Sequence, residues 1–579
     1  MKRIILFSVA VFICINLALF AQDKAKRIDE LMSKYYDFHA FNGTVLVADN
    51  GEVIYKKGFG FANAEWDIPN SPDTKFRLGS ITKQFTSMLI MQLVEKGKLK
   101  LDDKLSDYLP YYRKDIGEKV TIHQLLTHTS GIPSYTDQPG FFENDSRDPY
   151  EPKEFIEKFC SGDLVFEPGS KIAYNNSGYF ILGAIIEEVT KMTYEQALIK
   201  NIFEPCGMKS TGYDHWKTLL PKRATGYEKE FKEFFNSAYL DMSLPYAAGS
   251  LYSTVEDLFL WARALSSHKL LSEKYSKIMF EPYMAAFGAH YAYGWIVGKK
   301  YFEGLKDSLY FTQHGGGING FNTLITRFPE TGQLVVLLNN VEGFPAGVIT
   351  DNIIRILNGL DYDQPKLGIG YKLFELIEDE GIQSAVETYK QIKEHEAESF
   401  FFSENELNGL GYYLLKNEKF GEAIEVFELN IEAYPNSGNV YDSMGEAYMK
   451  KGDNELAIVN YKKSLELSPG NGNAKKMLAK LGIEIKEETV KVPVEILQQY
   501  VGKYQLNPNF ILAISIEGEQ IFVEATGQPK FEIFPKNETE FYLKVVNAQI
   551  KFVKDADEKV EKLILFQNGQ EMPAPKIIE

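Results

Sequence analysis

At 579 residues the chain is too long for a single core, and two to four domains are expected. Hydrophobic residues make up 44% and charged residues 25%, the balance of ordinary globular protein. A formal charge of −17 disfavours nucleic acid and anionic membrane as partners.

The chain begins Met1-Lys2-Arg3, runs apolar from Ile4 to Phe20, and continues Ala21-Gln22-Asp23. A charged start, an apolar stretch and a small residue at a cleavage point read as a signal peptide over residues 1–21. That predicts a periplasmic or secreted protein with no stable membrane span after cleavage. No other segment is long and apolar enough to cross a bilayer. The mature chain keeps only Cys160 and Cys206, too few for a disulfide scaffold. Cys206, within Pro205-Cys206-Gly207-Met208, is expected to fill a core position.

Lys24 to Tyr36 reads as an amphipathic helix. Thr44–Ala48 and Val53–Tyr55 flank Asp49-Asn50-Gly51, a hairpin signal. After Gly79 the pattern turns helical, with Phe85, Met88, Leu89, Met91, Leu93 and Val94 crowding one side. From about Asp102 to Leu265 helices and loops dominate, with helices near Tyr179–Lys191, Tyr194–Ile202 and Val255–Leu265. Strands return at Leu309–Gln313, Asn322–Phe328 and Leu334–Leu338, and Val348–Leu357 reads as a closing helix. Strands near both ends with helices between predict an α/β domain over 22–362, one antiparallel sheet with an inserted helical region. A cleft is expected where the two regions meet.

Past Asp361-Tyr362-Asp363-Gln364-Pro365 a 34-residue repeat sets in. Gly411 matches Gly445, Ala423 matches Ala457, Phe427 matches Tyr461 and Pro435 matches Pro469. This is the tetratricopeptide pattern, expected over 367–485. Ala385 and Tyr389 mark a degenerate unit upstream, and a helix near Ala474–Leu481 is expected to cap the array. Such repeats leave a protein partner or self-association open. After the linker Lys486–Val490, strands recur from Gly502 to Gln567, separated by turns such as Glu517-Gly518 and Asn568-Gly569. A small antiparallel barrel or sandwich is expected over 492–579.

Three short motifs carry chemistry. Ser80 and Lys83 stand one turn apart at a helix start, so a lysine of lowered pKa can take the proton of a serine nucleophile. Tyr174-Asn175-Asn176 precedes a helix and offers a phenol and an amide that can orient a substrate. His314-Gly315-Gly316-Gly317 follows the strand Leu309–Gln313, where glycines let a substrate lie along an edge and backbone N–H groups face an oxyanion. No metal-ligand spacing is apparent and no cofactor is implied.

In the order S-x-x-K, Y-x-N, H-x-G, these motifs resemble the serine β-lactamase and D-alanyl-D-alanine peptidase superfamily, in its class C-like branch. Leu125–Gly131, Tyr174–Tyr179 and Ala248–Thr254 look similar as well, and the resemblance covers roughly Ile28 to Leu360. It implies a class C β-lactamase-like α/β catalytic domain and an exported serine hydrolase working through an acyl-enzyme. By position it makes Ser80 the nucleophile and lets Lys83 and Tyr174 share acid and base work. It has Asn176, His314, Gly315 and Gly316 bind substrate, and forms the oxyanion hole from the backbone N–H groups of Ser80 and Gly317. His128 resembles a structural residue of the family rather than a second catalytic histidine. The last domain resembles a lipocalin-like module. Where relatives that bind a carboxylate place a hydroxyl residue, this chain has Gly315, and His314 stands where many have lysine. An esterase or peptidase with weak or no β-lactamase activity is therefore expected, acting on a small-molecule or peptide substrate. A β-lactamase or D,D-carboxypeptidase proper, and a non-catalytic scaffold using the repeats, are the alternatives.

Overall fold

The structure is a computed structural model, and it describes residues 22–484, 490–507, 510–526, 528, 530–546, 548–555, 557–567 and 570–577. The expected signal peptide, most of the Lys486–Val490 linker and the Asn568-Gly569 turn lie outside the described residues. The chain divides into two compact units between Pro365 and Lys366. Among the described residues no helix is long and apolar enough to cross a membrane.

The first unit is built on an eight-stranded antiparallel sheet. Its strands are β1 (Gly43–Asp49), β2 (Glu52–Phe59), β3 (Met284–Ala286), β4 (Ala289–Tyr291), β5 (Ile296–Lys300), β6 (Leu309–Ile318), β7 (Phe321–Phe328) and β8 (Gln333–Asn339). They lie in the order β3-β4-β5-β6-β7-β8-β1-β2. Asn50 and Gly51 both have positive φ, 51° and 79°, the geometry that a tight two-residue hairpin needs between β1 and β2. Side-chain alternation then splits the core. Val45, Val47, Val335 and Leu337 face one side, where they meet Ile28 and Leu31 of the helical stretch 22–37 and Ile349 and Ile353. Leu46, Val336 and Leu338 face the other, against the inserted helical region.

Five helices matter for the site: α1 (Thr82–Glu95), α2 (Asn176–Thr190), α3 (Tyr246–Gly249), α4 (Val255–Ser266) and α5 (Ala346–Leu357). Every residue of α1 from Thr82 to Leu93 is buried, so it is a central helix wrapped on all sides rather than an amphipathic one. Phe85 stacks on Trp261 of α4 at 4.4 Å, and the Trp261 indole donates to Gln84 Oε1 at 2.9 Å. This packing fixes the height and rotation of α1, and therefore the position of the turn before it.

Three expectations change. The strand read as ending at Gln313 continues through all three glycines to Ile318. Cys206 is half-buried at the margin of the core, and Cys160 is the fully buried cysteine; both are free thiols. Three short strands, β3 to β5, pass unread in the sequence.

The second unit carries paired helices, then a barrel. The pairs are α6 (Ile369–Glu380) with α7 (Ile382–His395), α8 (Glu404–Lys416) with α9 (Phe420–Ala433), and α10 (Gly438–Lys451) with α11 (Asn454–Leu467); α12 (Gly472–Lys480) follows. The repeat has a direct steric reason. A Cβ on Gly411 would stand 2.3 Å from the Phe427 ring, and one on Gly445 would stand 2.9 Å from the Tyr461 ring. Eight strands from β9 (Gly502–Asn507) to β16 (Gln570–Pro575) pair strictly with their neighbours. A bridge between Tyr504 and Lys576 joins the first to the last, so the alternative of a two-sheet sandwich gives way to a barrel. Repeats and barrel share one compact unit. Lys536 Nζ and Gln549 Nε2 of the barrel both donate to the Leu467 carbonyl at the end of α11, at 3.0 and 2.6 Å.

Candidate active site

Ser80 lies in a single 3-10 turn, Gly79–Ile81, that feeds into α1. Two glycine contacts dock this turn on the sheet. Gly79 has φ +54°, and a Cβ there would stand 2.9 Å from the Gly317 carbonyl oxygen. On Gly316 a Cβ would stand 1.9 Å from the Leu78 carbonyl oxygen, which also accepts from Thr323 Oγ1 at 2.8 Å. The β5 ladder ends at Gln313, so beyond it β6 has a strand partner only on its β7 side. The glycines thus do more than loosen a turn: they bring β6 against the backbone of the Ser80 turn, and Ser80 and Gly317 line the same cleft.

Lys83 is wholly buried. Its Nζ lies 3.0 Å from Ser80 Oγ, 2.8 Å from Asn176 Oδ1 and 2.9 Å from the Ala248 carbonyl oxygen of α3. Burial holds this amine well below the usual lysine range, and no carboxylate opposes the shift. A neutral amine has two N–H bonds and one lone pair. Asn176 Oδ1 and the Ala248 carbonyl can only accept, so they use both N–H bonds, and the lone pair is left for the Ser80 hydroxyl.

Lys83 Nζ is 4.9 Å from the centre of the Tyr174 ring. Burial pushes the Tyr174 phenol up, and the neighbouring Ser80 hydroxyl draws it part of the way back. The phenol faces Ser80 without closing a hydrogen bond of normal geometry. It is a neutral phenol at rest rather than a phenolate.

Asn176 opens α2, capped by Asn175, whose side chain accepts from the Gly178 N–H at 2.7 Å. The Asn176 amide donates to Thr136 Oγ1 at 3.1 Å, and its backbone N–H donates to Ser134 Oγ at 3.2 Å.

His128 is buried and left-handed at φ 60°. Its carbonyl accepts from the Ala173 N–H at 2.9 Å and its Nδ1 accepts from the Asn175 N–H at 3.0 Å. Its ring lies 4.4 Å from that of Tyr174. It therefore grips the backbone on both sides of Tyr174, as a structural residue would. Burial holds it well below the usual histidine range.

His314 departs from what its place in the third motif suggests. It is 4% exposed and does not line the cleft. Its Nδ1–H donates to the Gly315 carbonyl at 2.6 Å and its Nε2 accepts from the Tyr291 hydroxyl at 3.2 Å. Burial lowers its pKa to about 4, so it is neutral near pH 7. Gly315 has room for a side chain, since a Cβ would meet only ordinary contacts at 3.4 and 3.9 Å.

The rest of the cleft is largely apolar, with Tyr135, Phe141, Phe142, Leu240, Leu244 and Pro245 beside the polar Thr136 and Asn319, and no lysine or arginine is among its lining residues. Sequence reading missed Thr136 and these apolar residues. They come from the short helical turns Tyr135–Asp137 and Phe141–Asn144 and from the 240–245 segment, far from the motifs, and no local spacing marks them. Among the described residues no cluster of His, Cys, Asp or Glu is arranged to hold a metal ion.

A buried amine beside a serine hydroxyl, at the seam of a sheet and an inserted helical region, defines a serine hydrolase of the β-lactamase and penicillin-binding-protein type. The chain belongs to the Beta-lactamase family, whose profile matches residues 28–358. A tetratricopeptide repeat profile matches 438–471, and a domain of unknown function (DUF3471) matches 486–574. A putative penicillin-binding protein PbpX of Bacillus subtilis is 31% identical over 342 residues, covering 58% of this chain and 81% of that one. Penicillin-binding protein 4* of the same organism is 25% identical over 573 residues, covering 96% and 99%. A class C β-lactamase structure shares the fold with a TM-score of 0.50 at 20% identity, over 59% of this chain and 97% of that one.

Proposed function

We propose that the chain is an exported serine hydrolase that cleaves an ester, a peptide of D-amino-acid type or a related amide through an acyl-enzyme, with weak or no action on β-lactams. The observation that carries the chemistry is the fully buried Lys83 amine 3.0 Å from Ser80 Oγ, with burial holding its pKa well below the usual lysine range. Ser80 Oγ attacks the substrate carbonyl carbon, and its proton passes to Lys83 Nζ. The backbone N–H groups of Ser80 and Gly317 receive the oxyanion. The carbon–oxygen or carbon–nitrogen bond then breaks; the leaving group takes a proton from Tyr174, and the Lys83 ammonium restores the phenol. Water hydrolyses the Ser80 ester by the reverse proton path. Asn176 holds Lys83 through Oδ1 and Thr136 through one N–H, which leaves its second N–H for the acyl-side carbonyl. Gly315 and Gly316 let the substrate lie along β6, and His314 acts from behind the strand.

Substrate preference rests on what the cleft lacks. Capture of a carboxylate needs a cation or strong donors at the β6 edge. Gly315 offers no hydroxyl, His314 is buried and neutral, and no lysine or arginine lines the cleft. A missing charge-assisted hydrogen bond is worth about 1.5–3 kcal/mol, or roughly ten- to a hundredfold in binding. The apolar wall suits an acyl group without charge. The test compares kcat/KM for a p-nitrophenyl short-chain ester, a D-amino-acid peptide and a chromogenic cephalosporin. The ester or the peptide should lead; a leading cephalosporin would make the chain a β-lactamase.

The domain reading that accompanies this is a hydrolase domain over 22–362, repeats over 367–485 and a lipocalin-like barrel over 492–579, with residues 1–21 removed on export. The repeats supply a surface for a protein partner or a second copy.

A further inference from the structure

Strand β3 returns into β4 through a two-residue turn, Phe287-Gly288, since Ala286 pairs with Ala289. Both turn residues have positive φ, 54° and 71°, a combination that hairpins usually fill with Asn-Gly or Gly-Gly. A phenylalanine there is strained, because its bulk disfavours the left-handed region. Packing does not offset the strain: Phe287 is 58% exposed and belongs to neither of the cores on the two sides of the sheet.

What Phe287 does meet is the active site. Its ring centre lies 6.1 Å from that of Tyr174, edge to face at 80°, and 6.3 Å from that of Tyr291. The rings of His128, His314 and Tyr291 also surround Tyr174, at 4.4, 6.2 and 6.4 Å, and all three are buried. Tyr174 itself is half-buried, with its hydroxyl enclosed. Solvent therefore reaches Tyr174 on the Phe287 side. Neither of these two rings lines the largely apolar cleft over Ser80, where Phe142 and Leu244 stand.

On the acyl-enzyme reading above, we propose that Phe287 selects the leaving group, and that with the Tyr174 ring it forms a corner for a flat, uncharged aromatic group, as in an aryl ester or an anilide. The departing group takes its proton from Tyr174, so it stands beside that ring as the bond to the acyl carbon breaks. Two rings set at 80° can hold a third that stacks on one and meets the other edge-on, the arrangements aromatic rings prefer. The cleft over Ser80 then chooses the acyl group, and the Phe287 corner chooses what leaves. The strained turn keeps a phenylalanine because the ring serves the substrate rather than the fold.

The test uses two esters of one acid, phenyl acetate and trifluoroethyl acetate, on the full chain. Both pass through the same acetyl-enzyme, so a change in the ratio of their kcat/KM values between variants reports contacts to the leaving group alone. Phe287→Asn removes the ring and suits the turn. It should lower the phenyl-to-trifluoroethyl ratio by about three- to tenfold, while the thermal midpoint holds or rises. Phe287→Tyr keeps a ring and should hold the ratio within about twofold. The proposal is overturned if Phe287→Asn leaves the ratio unchanged, if Phe287→Tyr loses it as fully as Phe287→Asn does, or if the midpoint falls in Phe287→Asn, which would make the ring a packing residue. Labelling by a fluorophosphonate separates the two levels. With Ser80 labelled and the ratio unmoved, the Phe287 proposal alone fails; with Ser80 unlabelled and neither ester turned over, the acyl-enzyme reading fails and this proposal with it.

Discussion

The carbonyl oxygen of Leu78 occupies the space that a side chain on Gly316 would need: a Cβ there would stand 1.9 Å from it. One residue earlier the strand is open, since a Cβ on Gly315 meets nothing closer than 3.4 Å. Adjacent glycines therefore have different reasons to be glycine. The first prediction follows from the contrast. Gly316→Ala must push β6 off the Ser80 turn and should lower ester turnover about 10²-fold or more, because misplacing an attacking group by an ångström costs that much. Gly315→Ser should fold normally. By adding a donor at the strand edge it should raise the cephalosporin-to-ester ratio of kcat/KM by about tenfold. Equal damage from both substitutions would show that the two glycines are not distinguished in this way.

The second prediction concerns pH and activity. Lys83 must be neutral to accept the Ser80 proton, and Tyr174 must be protonated to give one up. Activity should rise as pH climbs through the depressed Lys83 pKa and fall only at alkaline pH, as the raised phenol ionises. His314, with a pKa of about 4, should add no step between pH 5.5 and 8. A kcat/KM profile over pH 4 to 11 reads the Lys83 rise and the absence of a His314 step, and should show no fall from the raised phenol within that range. Lys83→Met and Tyr174→Phe should each cost about 10²-fold or more.

The third prediction uses the same lysine as a stability probe. Its pKa is lower folded than unfolded, so between the two values the unfolded chain binds the extra proton and stability increases with pH. Lys83→Met lacks this dependence while sharing every other titration. The stability of the wild type relative to Lys83→Met should therefore rise with pH toward about 10.4, the unfolded lysine value, at up to about 1.4 kcal/mol per pH unit. Urea denaturation at pH 7, 8 and 9 gives the slope, and a flat or falling difference contradicts a neutral buried Lys83.

How much of this was legible in the sequence depends on the range of each interaction. Ser80 and Lys83 are one turn apart, so their partnership is visible as spacing. The 34-residue repeat is visible because Gly411 and Gly445 meet Phe427 and Tyr461 within a single helical pair. The Ala248 carbonyl on Lys83 and the Thr136 hydroxyl on Asn176 join residues 165 and 40 positions apart, and nothing local marks them. The strand pattern Leu309–Gln313 stops short of the three glycines, since glycines carry no strand signal; in β6 they serve the approach of Leu78 and Gly79. The place of His314 in its motif suggests a substrate contact, yet in β6 it is turned inward to Tyr291.

The fourth prediction tests the repeat packing. Gly411→Ala puts a methyl group 2.3 Å from the Phe427 ring and should destabilise the second unit by about 1–3 kcal/mol. Gly421→Ala, with nothing within 4 Å of the new Cβ, serves as the control and should be neutral or slightly stabilising. Denaturant midpoints followed by circular dichroism separate them. Equal midpoints would remove the steric account of the repeat.

The central claim is that Ser80 is the residue acylated, with Lys83 as its base. Intact mass after incubation with a fluorophosphonate measures this directly. The wild type should gain one adduct that peptide mapping places on Ser80, Ser80→Ala should gain none, and Lys83→Met should label about 10²-fold more slowly. An adduct of the same yield on Ser80→Ala would contradict the account.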